Sequence, residues 1–288
     1  MNQPITEVIK QRYSCRAYLD KPIASDHQQL LKEFLAANGT GPFGTKARFA
    51  LVTATEDDRQ SLKGLGTYGF IKGATGFIVG AVAPGQKNLE DYGYLLEYAV
   101  LVATDIGLGS CWLGGTFTKS SFAKKIAVNN HELVPAVIAI GYSVDDSKAV
   151  DRIRKRAGAD RRLPAAQLFF DQKFNQAISL TEVGAYAEPL EMVRWAPSAS
   201  NRQPWRMVRN GDGWHFYLQR TKGYGKGSLI FNMLRLADLQ RVDLGIAMCH
   251  FELTARELGL FGQWIVADPQ IAIPEYAEYV ASWITAAI

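Results

Sequence analysis

A chain of 288 residues, 48% hydrophobic and 21% charged, carries enough apolar material for one large core or two modest ones, which excludes a disordered chain. A net charge of +4 is too mild for nucleic acid to be the main partner. Three scattered cysteines, Cys15, Cys111 and Cys249, form no C-x-x-C pair and leave an odd thiol, so neither a disulfide framework nor a zinc site is indicated and a reducing cytoplasm is the expected location. The start, M-N-Q-P-I-T-E, lacks the basic and apolar regions of a signal peptide, and the longest apolar runs are too short for a bilayer, so no membrane partner is expected.

In chain order, Pro4 to Gln11 predicts a short helix with Ile5, Val8 and Ile9 on one face, leading into Arg12-Tyr13-Ser14-Cys15-Arg16-Ala17-Tyr18. If that stretch is extended, Arg12, Ser14 and Arg16 aim the same way. Two guanidinium forks and a hydroxyl then make an anion cradle suited to a phosphate; a solvated basic turn is the plainer alternative. Ser25 to Ala37 predicts a second helix, with Ser25 and Gln28 as a capping box, Leu30, Leu31 and Leu35 as its apolar stripe and Gly39 as its stop. A strand from Arg48 to Thr53, a helix near Asp57 to Leu65 and a strand from Phe77 to Val82 follow. Leu89 to Leu108 is apolar nearly all round, which predicts a buried central helix. It runs into G-L-G-S-C-W-L-G-G-T, whose glycines either stop the helix or let the backbone approach a ligand. Val134 to Gly141 is a β-branched strand. Asp151 to Arg162 holds six basic residues with no interleaved aromatic, a solvated face sooner than a nucleic-acid patch.

After Leu163 the pattern starts again. A helix ends at A-P-S-A-S-N-R-Q-P-W (Ala196 to Trp205), where prolines, small hydroxyl residues and the amides of Asn201 and Gln203 predict a rigid polar turn able to donate and accept at once. A strand at Trp205 to Arg209 answers the one at Arg48, and N-G-D-G makes a hairpin to a strand from Trp214 to Leu218. Further on, Asp243, Gly245, Leu253, Ala255, Gly259 and Leu260 fall on Asp91, Gly93, Leu101, Ala103, Gly107 and Leu108 without a gap. That is an internal repeat spanning a whole helix.

The loop A-P-S-A-S-N-R-Q-P-W resembles the signature loop of the nitroreductase superfamily of FMN-dependent oxidoreductases, and Arg12, Ser14 and Arg16 match that family's R-x-S-x-R element. The resemblance implies an α+β fold of nitroreductase-like α-β-α type, with two fused halves, 1–162 and 163–288, forming an intramolecular pseudo-dimer that acts as a monomer. It implies FMN bound by Arg12, Tyr13, Ser14 and Arg16 at the phosphate. Arg154 and Arg156 close over that phosphate, with Arg162 a further candidate. Pro197, Ser198, Ala199, Ser200, Asn201 and Gln203 lie at the ring edge. Leu113, Gly114 and Gly115 fall on the G-x-G-x-x-W-x-x-G segment whose backbone meets the flavin near N5, so Gly114 and Gly115 are the catalytic candidates, and Tyr68 is placed near the ring. The first half keeps the cradle and the glycines but has a degenerate loop. The second half keeps the loop and has G-L-F-G-Q-W in place of the glycines. One composite site with one FMN per chain is the expectation.

The resemblance further implies hydride transfer from NAD(P)H to FMN and on to a small-molecule electron acceptor, a nitroaromatic or a quinone, in a ping-pong scheme. A related reaction on the same fold, such as flavin fragmentation or reductive dehalogenation, and a non-enzymatic flavin-binding or partner-binding protein are the alternatives. The four histidines, His27, His131, His215 and His250, are scattered and are read as surface or core residues.

Overall fold

Two long helices, α3 (Asn88–Asp105) and α6 (Leu239–Glu257), cross at the centre of the molecule, in a computed structural model that describes residues 1–54, 62, 64–115, 117–144, 161–224 and 237–285. Both are buried along most of their length, as befits helices with no solvent face. The crossing is made at glycine. A Cβ on Gly93 would collide with the Val242 carbonyl, and a Cβ on Gly245 with the Glu90 carbonyl. The spacing that carries Asp91 onto Asp243 also carries Gly93 onto Gly245 and Glu90 onto Val242. Each contact is therefore the image of the other, which is the reciprocity of an isologous dimer interface written into one chain. Arg241 ties the helix starts together, its Nε donating to Glu90 Oε1 at 2.8 Å.

Each half contributes a sheet. The first, β1 (Ala47–Thr53), β2 (Gly76–Val82), β3 (Gly109–Leu113) and β4 (Val137–Gly141), runs in the order β1-β2-β4-β3 and is antiparallel throughout. The second contains β6 (Trp205–Asn210), β7 (Gly213–Gln219), β8 (Gly262–Ile265) and β9 (Ala277–Thr285) in the matching order β6-β7-β9-β8. A short β5 (Phe169–Asp171) adds to its edge, parallel to β6. Two copies of one strand order confirm the α+β architecture of fused halves. The first core centres on Tyr92, Leu96, Val100 and Ile138, the second on Trp205, Phe216, Phe251 and Trp283. Helix α1 (Ile5–Gln11) buries Ile5, Val8 and Ile9 against Leu101 of α3, Cys249 of α6 and Met192 of α5 (Ala187–Trp195). The chain thus begins by packing on both halves.

Several local expectations need correction. Helix α2 (Ser25–Ala37) has the expected span, but no side chain caps it: Ala24 is the N-cap, and Gln28 Nε2 donates to the Ile23 carbonyl at 2.8 Å instead. Leu31 and Leu35 are buried while Leu30 is exposed, so the stripe is narrower. Asn38, not Gly39, closes the helix, its Nδ2 donating to the Phe34 carbonyl. In the G-L-G-S-C-W-L stretch Gly107 (φ 80°) stops α3 and Gly109–Leu113 forms strand β3, and the glycines that line the cavity are those just beyond it. The helix expected near Asp57 to Leu65 falls almost wholly outside the described residues. Among those residues no helix is long and apolar enough to cross a membrane.

Gly245→Ala should destabilise the protein by about 3 kcal/mol, since neither helix backbone can yield without opening the crossing. Gly85→Ala, whose Cβ would make only an ordinary contact with Asn88, should be nearly neutral. Urea midpoints of the two variants test this; equal midpoints would mean that the crossing does not hold the halves.

Candidate functional site

A cavity of about 410 Å³ lies where the halves meet, within the range of roughly 300–1,000 Å³ usual for small-molecule and cofactor sites. The first half lines it with Ser14, Arg16, Trp112, Leu113, Gly114 and Gly115, and the second half with Pro197, Ser198, Ala199, Ser200 and Asp243. Two segments remote in sequence thus share one wall.

The first segment is held extended. Cys15 N donates to the Ser110 carbonyl at 2.8 Å, and Ser14 forms a parallel bridge with Ser110. This aligns the stretch beside β3 and places Ser14 and Arg16 on the cavity side together, as strand alternation requires. Beyond β3 the chain passes beneath α6: a Cβ on Gly114 would run into the Leu239 side chain, so the absence of one there is what lets the backbone and the helix close on each other.

The second segment is a strained, internally braced turn. Ser200 (φ 52°), Asn201 (φ 52°) and Gln203 (φ 49°) all adopt the left-handed region, which costs non-glycine residues free energy and persists only where neighbours enforce it. Ser198 Oγ accepts from Gln203 N at 2.8 Å, the Ser198 carbonyl accepts from Asn201 N at 2.9 Å, and Asp243 Oδ1 accepts from Ala199 N at 2.9 Å.

Four of the expected contacts do not reach the cavity wall. Arg12 is buried behind it, its Nε 3.8 Å from Glu97 Oε1, because α1 ends against α3 before the extended segment begins. Tyr13 alternates away from Ser14. Asn201 and Gln203 turn to the segment joining the halves: Asn201 Nδ2 donates to the Arg161 carbonyl at 2.9 Å, and Gln203 Oε1 accepts from Leu163 N at 2.9 Å. That passing segment has backbone groups to satisfy, and the amides satisfy them. Arg162 likewise binds the loop, through Asn201 Oδ1 at 3.3 Å. Arg154 and Arg156 lie outside the described residues. Tyr68 is 69% exposed, and its neighbour Phe70 borders the cavity.

The sequence reading missed Phe70, Trp112, Tyr224 and Asp243 on the wall. For Asp243 the signal in the sequence is its place in the repeat, opposite Asp91. Burial pushes the Asp243 carboxyl well above the usual carboxylate range, and the nearby Asp238 adds to this. Burial also pushes the Cys111 thiol up to about 11, so it is a poor candidate for a nucleophile.

A buried polar network supports the wall. Trp112 Nε1 donates to Glu97 Oε2 at 2.6 Å, Glu97 Oε1 lies 2.9 Å from His250 Nε2, and His250 Nδ1 lies 2.9 Å from the Met192 carbonyl. Glu97 and His250 are fully buried. His250 is thus a core residue, as expected, whose partners lie behind the site.

Two copies of one α+β strand order thus flank a cavity that both line. The chain belongs to the family whose model is described as "Putative TM nitroreductase", which matches residues 4–255. A crystal structure of a "putative nitroreductase" from Thermotoga maritima is similar over 99% of this chain and 94% of its own, with 20% identity and a TM-score of 0.61, a likeness of fold. A nitroreductase with bound FMN from Bacteroides fragilis, 25% identical, covers 50% of this chain and 90% of its own, with a TM-score of 0.39. A nitroreductase family protein from Clostridium difficile, 18% identical, covers 58% of this chain and 96% of its own, with a TM-score of 0.42. Among curated proteins the chain has no match.

Glu97→Gln removes the carboxylate that faces both Arg12 and His250 and should cost about 3–5 kcal/mol, the penalty for stranding buried charge. Tryptophan fluorescence followed through a urea titration would show it; a loss under about 1 kcal/mol would mean that Glu97 is not the anchor of the network.

Proposed function

We propose that the cavity holds one FMN and that the protein is an FMN-dependent oxidoreductase, drawing electrons from NAD(P)H and delivering them to a small-molecule acceptor such as a nitroaromatic or a quinone. The observation that carries this reading is the composite wall, with Ser14 and Arg16 from residues 1–162 and Pro197 to Ser200 from residues 163–288 on the same cavity. On this reading the chain carries one site and acts as its own dimer.

The residues fit the group. A guanidinium and a hydroxyl on one strand edge, Arg16 and Ser14, suit a phosphate, which charge-assisted donors hold strongly. The apolar middle of the cavity, formed by Trp112, Leu113, Leu239 and Val242, suits a flat ring and keeps water from it. Gly114 and Gly115 line the cavity without side chains of their own, and a backbone N–H there, aimed where negative charge develops, would lower the barrier. Ser198 and Ser200 provide hydroxyls at the loop edge. Arg12, Asn201 and Gln203 act from behind, by fixing the segments that carry these groups. When bound, FMN supplies the hydride and electron chemistry; the chain supplies position and electrostatics.

The test is to reconstitute the purified protein with excess FMN, count flavin per polypeptide, and then follow NAD(P)H oxidation with candidate acceptors. One FMN per chain is expected. Arg16→Ala should weaken FMN binding about 10–100-fold, the loss of one charge-assisted contact worth roughly 1.5–3 kcal/mol. No flavin after reconstitution would overturn the reading. Stoichiometric flavin without NAD(P)H turnover would leave a flavin-binding protein that is not this enzyme.

A further inference from the structure

Asp243 sits on the cavity wall, in the third position after Gln240 on helix α6, and is 2% exposed. One of its oxygens is structural, since Oδ1 accepts from Ala199 N at 2.9 Å and so holds the strained loop. The other, Oδ2, is buried and has no hydrogen-bond partner among the described residues. A buried carboxyl oxygen left unpaired is costly, and proteins rarely leave one without a use.

The chain contains its own control. Asp91 occupies the equivalent position on α3, and both its oxygens are satisfied: Oδ1 accepts from Phe43 N and Oδ2 from Thr45 N, each at 2.9 Å. In that half the loop is degenerate and closes over its aspartate on both sides. At Asp243 the loop satisfies one oxygen only, and of the two aspartates it is Asp243, not Asp91, that lines the cavity.

We infer that Asp243 is a ligand-facing hydrogen-bond donor, a neutral carboxylic acid whose Oδ2 hydroxyl donates to an acceptor atom of the flavin ring; the inference rests on the FMN reading above. The groups around it favour the neutral form. Asp238, the N-cap residue of the same helix, is a like charge, itself held by Arg220 at 2.8 and 2.7 Å. Tyr224 faces it from beyond the loop, and the cation on the same cavity, Arg16, comes from the far wall contributed by the first half. Among the described residues no ion pair involves Asp243. Burial holds its proton at pH values where an ordinary aspartate is ionised. An ionised carboxylate there would repel the negative charge of a reduced ring, whereas a carboxylic acid kept neutral by its surroundings stabilises it by donation.

The experiment measures FMN affinity of the apoprotein against pH by quenching of flavin fluorescence, for wild type, Asp243→Asn and Asp243→Ala, together with the infrared carbonyl band of a protonated acid. Asn keeps one acceptor for Ala199 and one donor for the ligand but cannot ionise. Wild-type affinity should fall about tenfold as pH rises through the Asp243 titration. Asp243→Asn should keep the neutral-pH affinity without that fall and should lack the infrared band, and Asp243→Ala should bind about tenfold more weakly at every pH. Titration of the FMN phosphate is common to all three proteins and cancels in the comparison. Identical pH profiles for wild type and Asp243→Asn, or no protonated-acid band in wild type, would overturn the inference while leaving FMN binding intact. Failure of the wild type itself to bind FMN would instead sink the functional reading on which it rests.

Discussion

The structure depends on how closely α3 and α6 approach. At Gly93 and Gly245 each helix meets a backbone carbonyl of the other where any side chain would collide, so the separation of the halves is set by main-chain contact and not by adjustable side chains. Interiors packed this tightly transmit position with little slack. The cavity inherits its geometry from that fixed distance. Its first-half wall hangs on β3, which follows α3, and its second-half wall is buckled to α6 through Asp243. Gly114 adds a third close approach, against Leu239 at the start of α6. A single-chain arrangement adds to this a covalent link between halves, so that their association is intramolecular and independent of concentration.

The halves share a plan but have diverged in its use. In both, a tryptophan on the strand following the central helix donates to a glutamate on that helix: Trp112 to Glu97 and Trp264 to Glu252, each at 2.6 Å. Trp112 borders the cavity. Trp264 packs edge-on against Phe216 and Trp283 in the second core. Trp112 and Trp264 are equivalent in the repeat, but their glutamates are not, Glu97 falling on Cys249 and Glu252 on Val100, so a similar tether serves the cavity wall in one copy and a hydrophobic core in the other. The two aspartates divide similarly, Asp91 wholly engaged by its loop and Asp243 half engaged. The aromatic core around Trp264 buries large apolar area, a physical gain open to a strand end that does not line the cavity.

Much of this was legible in the residues. The all-round apolarity of α3, the N-G-D-G hairpin and the repeat that carries Asp91 onto Asp243 each point to one structure by local rules, and the strands follow. The co-location of Ser14 and Arg16 with Pro197 to Ser200 came from family resemblance, since no local rule relates segments so far apart. What could not be read was which polar groups the linker would claim. Asn201 and Gln203 have the chemistry for a ligand edge, but a backbone segment passing within reach takes precedence when its own donors and acceptors would otherwise be buried unpaired. Arg12 and Ser14 are two residues apart and share a face in an ideal strand, yet Arg12 is still the C-cap of α1 and aims inward. The Ser25–Gln28 box failed for a related reason: Gln28 has a competing acceptor in the Ile23 carbonyl.

The buried network under the wall shows why charge is kept in a place where apolar side chains would pack. Glu97, His250 and Arg12 come from α3, α6 and the end of α1, and Trp112 comes from β3, so the network joins both halves to the cavity. Both imidazole nitrogens of His250 face acceptors, the Met192 carbonyl and Glu97 Oε1, so a proton sits on the His250–Glu97 contact whichever of the two owns it. Such a cluster gains little net stability over a hydrophobic one, because desolvation offsets its attraction. Its advantage is directional: apolar packing would tolerate small rotations of α3 against α6, whereas hydrogen bonds at 2.6 and 2.9 Å admit one arrangement. With the glycines fixing the distance between the helices and this network fixing their register, the indole of Trp112 is held in one orientation. That orientation, more than the identity of any single lining residue, is what allows two diverged copies to keep one shared site.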